Sequence, residues 1–255
     1  MRKTIYYTDE LLDDFSNTNI KRKKLGPKFK YVHKNIFWRA ICFFVYFVIA
    51  IPLVFIINKI FNHQKYKNKK VLKRVKNNGY FIYGNHTSHI NDVFSVPYLV
   101  FPKRNYVVCN PDATSLPLLR NLVQMLGAIP LAETFKEQKD FINCIEKRIN
   151  QKQVVTIYPE AHIWPYYTKI RNYTYSSFKY AVKLNKPVFS VTTCYQKRKI
   201  LKRPKIVSYV DGPFYPNPNL PINEASKELR DKIYNTMCER AKTYSTYEYY
   251  QYIKK

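Results

Sequence analysis

Short apolar segments alternate with amphipathic ones along the C-terminal two thirds of the chain. Tyr80–Tyr83 and Gln153–Tyr158 are short and rich in aromatic and β-branched residues, as buried strands are. Phe135–Asn150 instead repeats its apolar residues at helical spacing, with Phe141 and Ile145 on one face. The same patterns predict strands over Asn105–Cys109, Gly127–Leu131, Val188–Thr193 and Ile206–Tyr209, and helices over Thr87–Val100, Leu116–Met125, Tyr175–Leu184 and Ile222–Tyr247.

Strands that alternate with helices are typical of an α/β fold with a mainly parallel central sheet flanked by helices. No linker divides residues 79–255, so we predict one catalytic domain there. Residues 1–78 differ in composition and are predicted to be a basic, apolar membrane-docking segment. The first twenty residues form a polar lead with four acids, for which we expect no more than one or two helical turns.

An uncharged apolar run, Ala40–Ile57, lies between two basic clusters. No Asp or Glu occurs from Phe15 to Asn91, and that stretch holds 16 Lys and Arg residues. The run is just long enough for a transmembrane helix, but Pro52 is expected to kink or divide it. We favour an interfacial or re-entrant pair of helical segments broken near Pro52, because both basic flanks then stay on the cytoplasmic face of the membrane. A single span and an ordinary core helix stay open. On a membrane surface, each basic side chain near anionic lipid contributes about 1 kcal/mol.

Composition narrows the classes of function. The 255-residue chain carries a net charge of +27, its five glycines form no G-x-G pair, and G-x-S-x-G is absent. Rossmann and P-loop phosphate sites and the usual hydrolase elbow are therefore excluded. The five cysteines include no C-x-x-C pair, which argues against a zinc ribbon. A basic nucleic-acid-binding protein is the alternative that the charge favours, but no signature of one accompanies it, so no nucleic acid is expected as a partner.

Two segments that directly follow predicted strands carry the candidate chemistry, at the end of the strands where α/β proteins bind ligands. After the first strand comes His86, with Asp92 near enough to fix its tautomer and support it as a base. After the strand that ends at Tyr158 come Glu160 and His162. A capped helix start and an ordinary turn are the structural alternatives for the two segments.

The order and spacing of five blocks resemble the glycerophospholipid acyltransferase family, of the lysophosphatidic acid acyltransferase type. The family's first motif places four residues between His and Asp, whereas five separate His86 from Asp92 and Asn91 takes the usual acidic position. We expect Asp92 to be the partner, with Asn91 and the pair His89–Asp92 as lesser candidates. The matching blocks, within Tyr80–Tyr195, are Asn85–Ser88, Leu126–Pro130, Tyr158–Glu160, Phe178–Ala181 and Pro187–Val191.

The resemblance implies that the protein moves a fatty acyl group from acyl-CoA or acyl carrier protein to a hydroxyl of a lysophospholipid such as 1-acyl-glycerol-3-phosphate. His86 would be the general base and Asp92 its orienting partner. Backbone amides near Gly127 or at the helix start would stabilise the oxyanion, and Glu160 would hold the glycerol of the acceptor. The remaining substrate-binding residues are expected to be Asn85, Ser88 and His162, with Lys169, Arg171 and Lys179 replacing the family's phosphate-binding Arg.

The same resemblance implies no metal and no bound cofactor. The basic clusters around the apolar run predict an anionic phospholipid membrane as a partner, contacted from the cytoplasmic face. Because the first and third blocks depart from the family pattern, a catalytically inactive membrane scaffold with an acyltransferase-like domain is a further alternative.

Overall fold

Seven strands form the central sheet of the computed structural model, which describes residues 3–16, 25, 29–88, 91–114 and 117–255. A separate pair of strands joins the two ends of the chain. The labelled elements are β1 (Lys3–Tyr7), α1 (Ile36–Phe61), β2 (Lys65–Lys67), β3 (Tyr80–Gly84), α2 (Asn91–Val100), β4 (Asn105–Cys109), α3 (Pro117–Met125), β5 (Ala128–Pro130), α4 (Phe135–Asn150), β6 (Val154–Ile157), α5 (Lys179–Lys183), β7 (Val188–Gln196), β8 (Lys205–Phe214), α6 (Ile222–Tyr244) and β9 (Tyr250–Lys254).

The sheet has the order β2-β8-β7-β3-β6-β4-β5, and every neighbouring pair is parallel except β7 and β8. This arrangement confirms the predicted α/β fold with a mainly parallel sheet. All of the predicted strands are present, and β3, which precedes His86, lies at the centre. The C-terminal helix α6 ends at Tyr244, three residues earlier than expected.

Alternate residues of β3 face opposite sides of the sheet, as the two-residue period of a strand requires. Phe81 and Tyr83 join a core cluster that includes residues of α4, α5 and α6. Tyr80 and Ile82 join a second cluster, formed with α2 and the 3₁₀ turn Lys69–Val75. Both faces of the central strand are therefore covered, and its carboxyl end opens towards the loop that carries His86.

The helix α1 runs unbroken through Pro52, so the expected division at that residue is wrong. π-helical turns over Phe44–Ala50 precede the proline, and the Ile51 N–H donates to the carbonyl oxygen of Tyr46, five residues back. Such a local change of helix type lets the backbone accommodate a proline that has no N–H. Pro52 then stands in the first turn of the α-helical stretch Ile51–Ile56, where the missing donor costs least.

One narrow face of α1 packs on the domain, and the rest of its apolar surface is exposed. Tyr46, Val54 and Asn58 are buried on that face. The Tyr46 hydroxyl accepts a 2.9 Å hydrogen bond from the Asn105 N–H, and the Asn58 side chain donates to the Phe94 carbonyl at 3.0 Å. Only 17% of the most apolar 18-residue window is buried, so α1 is not a core helix. By length and composition α1 could cross a membrane, which suggests that the protein associates with one.

The chain ends pair with each other, and the expected helical lead is wrong. β1 lies parallel to β9, with Lys3 opposite Tyr250 and Tyr7 opposite Lys254. The β1 sequence KTIYY is rich in β-branched and aromatic residues, which suit a strand. Its partner strand lies almost 250 residues away in the chain, so no local sequence pattern could predict the pairing. The domain boundary after residue 78 stays a prediction, although β2, on its N-terminal side, belongs to the central sheet.

Candidate active site

His86 and Asp92 meet just beyond the carboxyl end of β3. The Nδ1 atom of His86 lies 2.8 Å from the Oδ2 atom of Asp92. The Asp92 side chain is 3% exposed and the His86 side chain 17%, so the carboxylate is buried while the ring reaches solvent. With Nδ1 held by the carboxylate, Nε2 is the ring nitrogen that can take a proton from a substrate.

The same Asp92 oxygen also organises the start of α2. It accepts the Thr87 N–H at 2.9 Å and the Ser88 N–H at 2.8 Å. The loop thereby turns tightly around the carboxylate, which absorbs the extra residue between His86 and Asp92. The structure gives Ser88 this backbone contact with Asp92. The alternative partners, His89 and the side chain of Asn91, lie outside the described part of the chain.

Tyr158, for which the sequence indicated no role, forms one wall of the site. Its ring stacks on His86 with centroids 4.7 Å apart, and its hydroxyl donates to the Asp92 carbonyl oxygen at 2.6 Å. Burial raises the pKa of Tyr158, which keeps the hydroxyl protonated as a donor. Gly84 leaves room for the ring, because a Cβ there would lie 2.8 Å from it. The sequence signals were an aromatic residue at the end of a predicted buried strand and its place in a block that matches the family pattern.

Glu160 and Arg171 face each other inside the protein. The Glu160 carboxylate accepts the His86 N–H at 3.0 Å, the Arg171 N–H at 3.1 Å and the Arg171 guanidinium at 3.3 Å. The two side chains are 0% and 1% exposed. Burial raises the pKa of Glu160, and the positive charge of Arg171 opposes this shift. Neither group is free to contact a substrate, so the structure does not support their predicted roles as glycerol and phosphate binders. Together they fix the backbone at His86.

Asn85 is also a structural residue rather than a substrate contact. Its side chain donates to the Thr193 carbonyl at 3.0 Å and accepts the Thr193 N–H at 2.8 Å. Only 2% of Asn85 is exposed. This pair of bonds fastens the end of β3 to β7, and it places the next residue, His86, at the edge of the sheet.

Gly127 lies at the opposite end of the sheet from His86. The strand register places it level with Phe81, near the start of β3. His86 lies five residues further on, about 16 Å along the strand direction, and β5 is three strands away from β3. Gly127 therefore cannot supply the predicted oxyanion contact. Its φ of +104° and its close approach to the Asn105 carbonyl explain why a glycine stands there.

The remaining predicted contacts lie on the long loop after β6 and at the start of α5. His162 Nδ1 lies 3.7 Å from a carboxylate oxygen of Asp14. The Lys179 ammonium lies 5.3 Å from the centre of the Tyr175 ring. Lys169 is exposed on the loop. Of these three candidates, Lys169 is exposed, whereas His162 and Lys179 are partly buried.

The chain ends cover this loop and connect it to the His86 loop. Trp164 is completely buried against Tyr7 of β1 and Tyr252 of β9. Its indole N–H donates to the Asp13 carbonyl at 2.8 Å, and its backbone N–H donates to the His86 carbonyl at 3.1 Å. The terminal strands thus support the backbone that positions the histidine. No sequence pattern indicated this contact, because the three segments are far apart in the chain.

The family model named Acyltransferase matches residues 62–194, just over half of the chain. The chain therefore belongs to the Acyltransferase family, which confirms the resemblance that the five sequence blocks indicated. The matched region includes both His86 and Asp92 as well as the buried pair Glu160 and Arg171.

Among solved structures, the fold is similar to that of the 1-acyl-sn-glycerophosphate (LPA) acyltransferase PlsC from Thermotoga maritima. The TM-score is 0.51 at 13% sequence identity, and the match covers 71% of this chain and 73% of that one. At this identity the similarity shows a shared fold. Comparison with curated proteins finds no match.

Proposed function

We propose that this protein is a membrane-associated acyltransferase that moves a fatty acyl group from a thioester donor to a hydroxyl of a lysophospholipid, with 1-acyl-glycerol-3-phosphate as the acceptor. The observation that carries the proposal is the pairing of His86 with Asp92 at the carboxyl end of β3, in a member of the Acyltransferase family. The fold shared with an LPA acyltransferase supports the choice of acceptor.

In the proposed mechanism His86 acts directly on the acceptor. Its Nε2 takes the proton of the acceptor hydroxyl while the oxygen attacks the thioester carbonyl. The C–S bond then breaks, and the leaving thiolate receives the proton from His86. Asp92 keeps Nδ1 protonated and stabilises the positive ring between the two transfers, which its 2.8 Å contact with that nitrogen permits. No acyl-enzyme forms, and we expect acyl-CoA or acyl carrier protein as co-substrate without a metal or bound cofactor.

We expect Lys169 to bind the phosphate of the acceptor. Arg171 is already paired with Glu160, whereas Lys169 lies two residues away on the same loop with its side chain exposed. A flexible lysine holds a phosphate as a point charge, without the fixed bidentate geometry of arginine. We therefore expect Lys169→Gln to raise the KM for a phosphorylated acceptor more than it lowers kcat.

The packing of α1 supports a helix that lies along the membrane surface. Tyr46 and Asn58 both contact the domain, and the twelve residue steps from one to the other span about 18 Å of helix. If a helix packed on a polar domain over that length crossed a bilayer, part of the domain would have to enter the hydrocarbon core. The proposal therefore places α1 in the interface, with Phe37, Ile41 and Phe44 among its exposed apolar residues and the domain on the cytoplasmic side.

The decisive experiment offers a panel of lysophospholipids with both acyl-CoA and acyl carrier protein donors, and identifies products by mass spectrometry. His86→Ala should abolish transfer while the unfolding temperature and vesicle binding stay unchanged. His63→Asn is the matched control, because His63 is exposed and its φ of +46° suits asparagine. Full activity of His86→Ala would refute the mechanism, and an inactive parent protein under every donor would favour the scaffold alternative.

A further inference from the structure

A cavity of about 850 Å³ opens at the amino end of the sheet. The first three turns of α1, the start of β4 and the last two turns of α4 surround it. In the sheet register, Val154 of β6 and Asn105 of β4 are level with Tyr80 of β3. The cavity residues Gln153 and Arg104 come directly before these two strand residues. His86 lies six residues beyond Tyr80, about 20 Å along the strand direction. The cavity is therefore separate from the proposed site of acyl transfer and too far away to hold the phosphate of the same acceptor molecule.

The wall of this cavity is strongly basic. No Asp or Glu is among the described residues that line it, and none of its Lys or Arg side chains takes part in an ion pair within the described part of the chain. Such a concave surface of one sign concentrates counter-ions. Its cationic side chains are Lys34, Arg39, Arg104, Lys147 and Arg148.

Two of the arginines lie against the same aromatic ring. The guanidinium carbons of Arg104 and Arg148 lie 5.0 Å and 4.6 Å from the centre of the Tyr106 ring. Both Nε atoms are buried without a hydrogen-bond partner in the described structure. Two positive charges beside one ring repel each other, and buried N–H groups without acceptors are costly. A bound anion with several oxygen acceptors relieves both costs.

The other wall of the cavity is apolar and belongs to α1. Phe43 and Phe47 line the cavity together with Trp38, which stacks on His33. Phe43 is 60% exposed, so this wall continues onto the outer surface of the helix. A basic recess beside an exposed apolar helix suits a ligand that combines a phosphate with hydrocarbon chains.

We propose that this cavity binds the phosphate group of an anionic phospholipid as a site distinct from the acyl-transfer centre. Arg104 and Arg148 contact the phosphate oxygens, Lys34 and Arg39 stand at the mouth, and the acyl chains lie along α1. The inference goes beyond the proposed function and does not depend on it. A soluble phosphate compound offers the same oxygens, and the experiment separates the two sources.

The test uses the full chain in neutral detergent, titrated with dihexanoylphosphatidylglycerol or with inorganic phosphate, and follows the unfolding temperature and calorimetric binding. Phosphatidylglycerol is chosen because it is neither the proposed acceptor nor its product. We expect it to bind, and Arg148→Gln to weaken its binding at least about tenfold. The Lys34→Gln/Arg39→Gln double variant, which changes only exposed side chains, should weaken binding as well. His86→Ala should bind like the parent protein.

Lys227→Gln/Lys242→Gln provides the matched control, since it removes two exposed charges from α6 outside the cavity. It should leave binding unchanged. Saturable binding of inorganic phosphate that only the cavity variants weaken would support the site and assign it to a soluble ligand. Lipid binding that the cavity variants weaken, without phosphate binding, would assign it to the membrane. Absence of binding in both titrations, or equal loss in the control variant, would overturn the proposal.

Discussion

Replacing Arg171 by Gln should lower the stability of the folded protein rather than weaken its affinity for the substrate. The change leaves the Glu160 carboxylate, whose side chain is 0% exposed, without its cationic partner. Removing one member of a buried ion pair costs about 3–5 kcal/mol. For a chain of this size each kcal/mol lowers the unfolding temperature by about 2–4 °C, so we expect a fall of roughly 6–20 °C. The bonds that Arg171 donates to the Glu10 and His162 carbonyls are lost as well.

The assay combines thermal unfolding with the KM for a lysophospholipid acceptor. Lys169→Gln is the matched control, because it removes a positive charge from the exposed part of the same loop. It should leave stability unchanged and raise KM. A stable Arg171→Gln protein with a raised KM would refute the reasoning, because that result is expected only if the guanidinium binds the phosphate of the acceptor.

The stability of Arg171→Gln should also depend on pH. Burial already raises the pKa of Glu160, and Arg171 opposes that shift, so the pKa rises further in the variant. When the pKa of a carboxyl group is higher in the folded than in the unfolded protein, the protein loses stability as the pH rises. The loss begins near the pKa of the unfolded state, about 4.3, and is complete above the pKa of the folded state. The deficit of the variant relative to the parent should thus be smaller at pH 5 than at pH 8. A deficit that is constant across this range would indicate that Glu160 remains fully ionised or finds another partner.

Three further predictions concern the surroundings of His86. Asp92→Asn keeps the shape of the side chain but not its charge, and should lower kcat about 10²–10⁴-fold with little change in KM, as steady-state kinetics would show. Tyr158→Phe removes the hydroxyl that bonds to the Asp92 carbonyl and should lower the free energy of chemical unfolding by about 1 kcal/mol. Tyr158→Leu also removes the ring beside His86 and should lower kcat. Replacing Ala161, whose φ is +63°, by Gly should raise the free energy of unfolding by about 1 kcal/mol in the same experiment. A lower free energy of unfolding would show that the left-handed backbone at this residue is not strained.

Features set by neighbouring residues could be predicted from the sequence. The strands and helices of the central domain follow from apolar patterns that each element carries within itself. The contact between His86 and Asp92 follows in the same way, since Asp92 comes only six positions after His86 and a tight loop brings them together. In contrast, α1 continues through Pro52 because its hydrogen bonds change to the π pattern one turn earlier, and nothing in the apolar run indicates that change.

Roles that depend on where distant segments meet could not be predicted. A glycine before a strand marks a turn, but only the sheet register shows that Gly127 lies at the wrong end for catalysis. A carboxylate after a buried strand can face a substrate or the interior with equal ease. Glu160 faces inward because Arg171, eleven residues later, folds back beneath it, and that return of the chain is a tertiary event.

The loop that carries His86 is held from four directions, and this explains why so many expected substrate contacts are structural. Asp92 holds the imidazole, Glu160 holds the backbone N–H, and Trp164 donates to the carbonyl of the same residue. Asn85 fastens the strand end to β7. A general base works best when its position needs no reorganisation as charge moves. In the proposed mechanism, the polar residues that the family pattern places around the histidine would serve catalysis by fixing its geometry, and exposed groups such as Lys169 would recognise the acceptor.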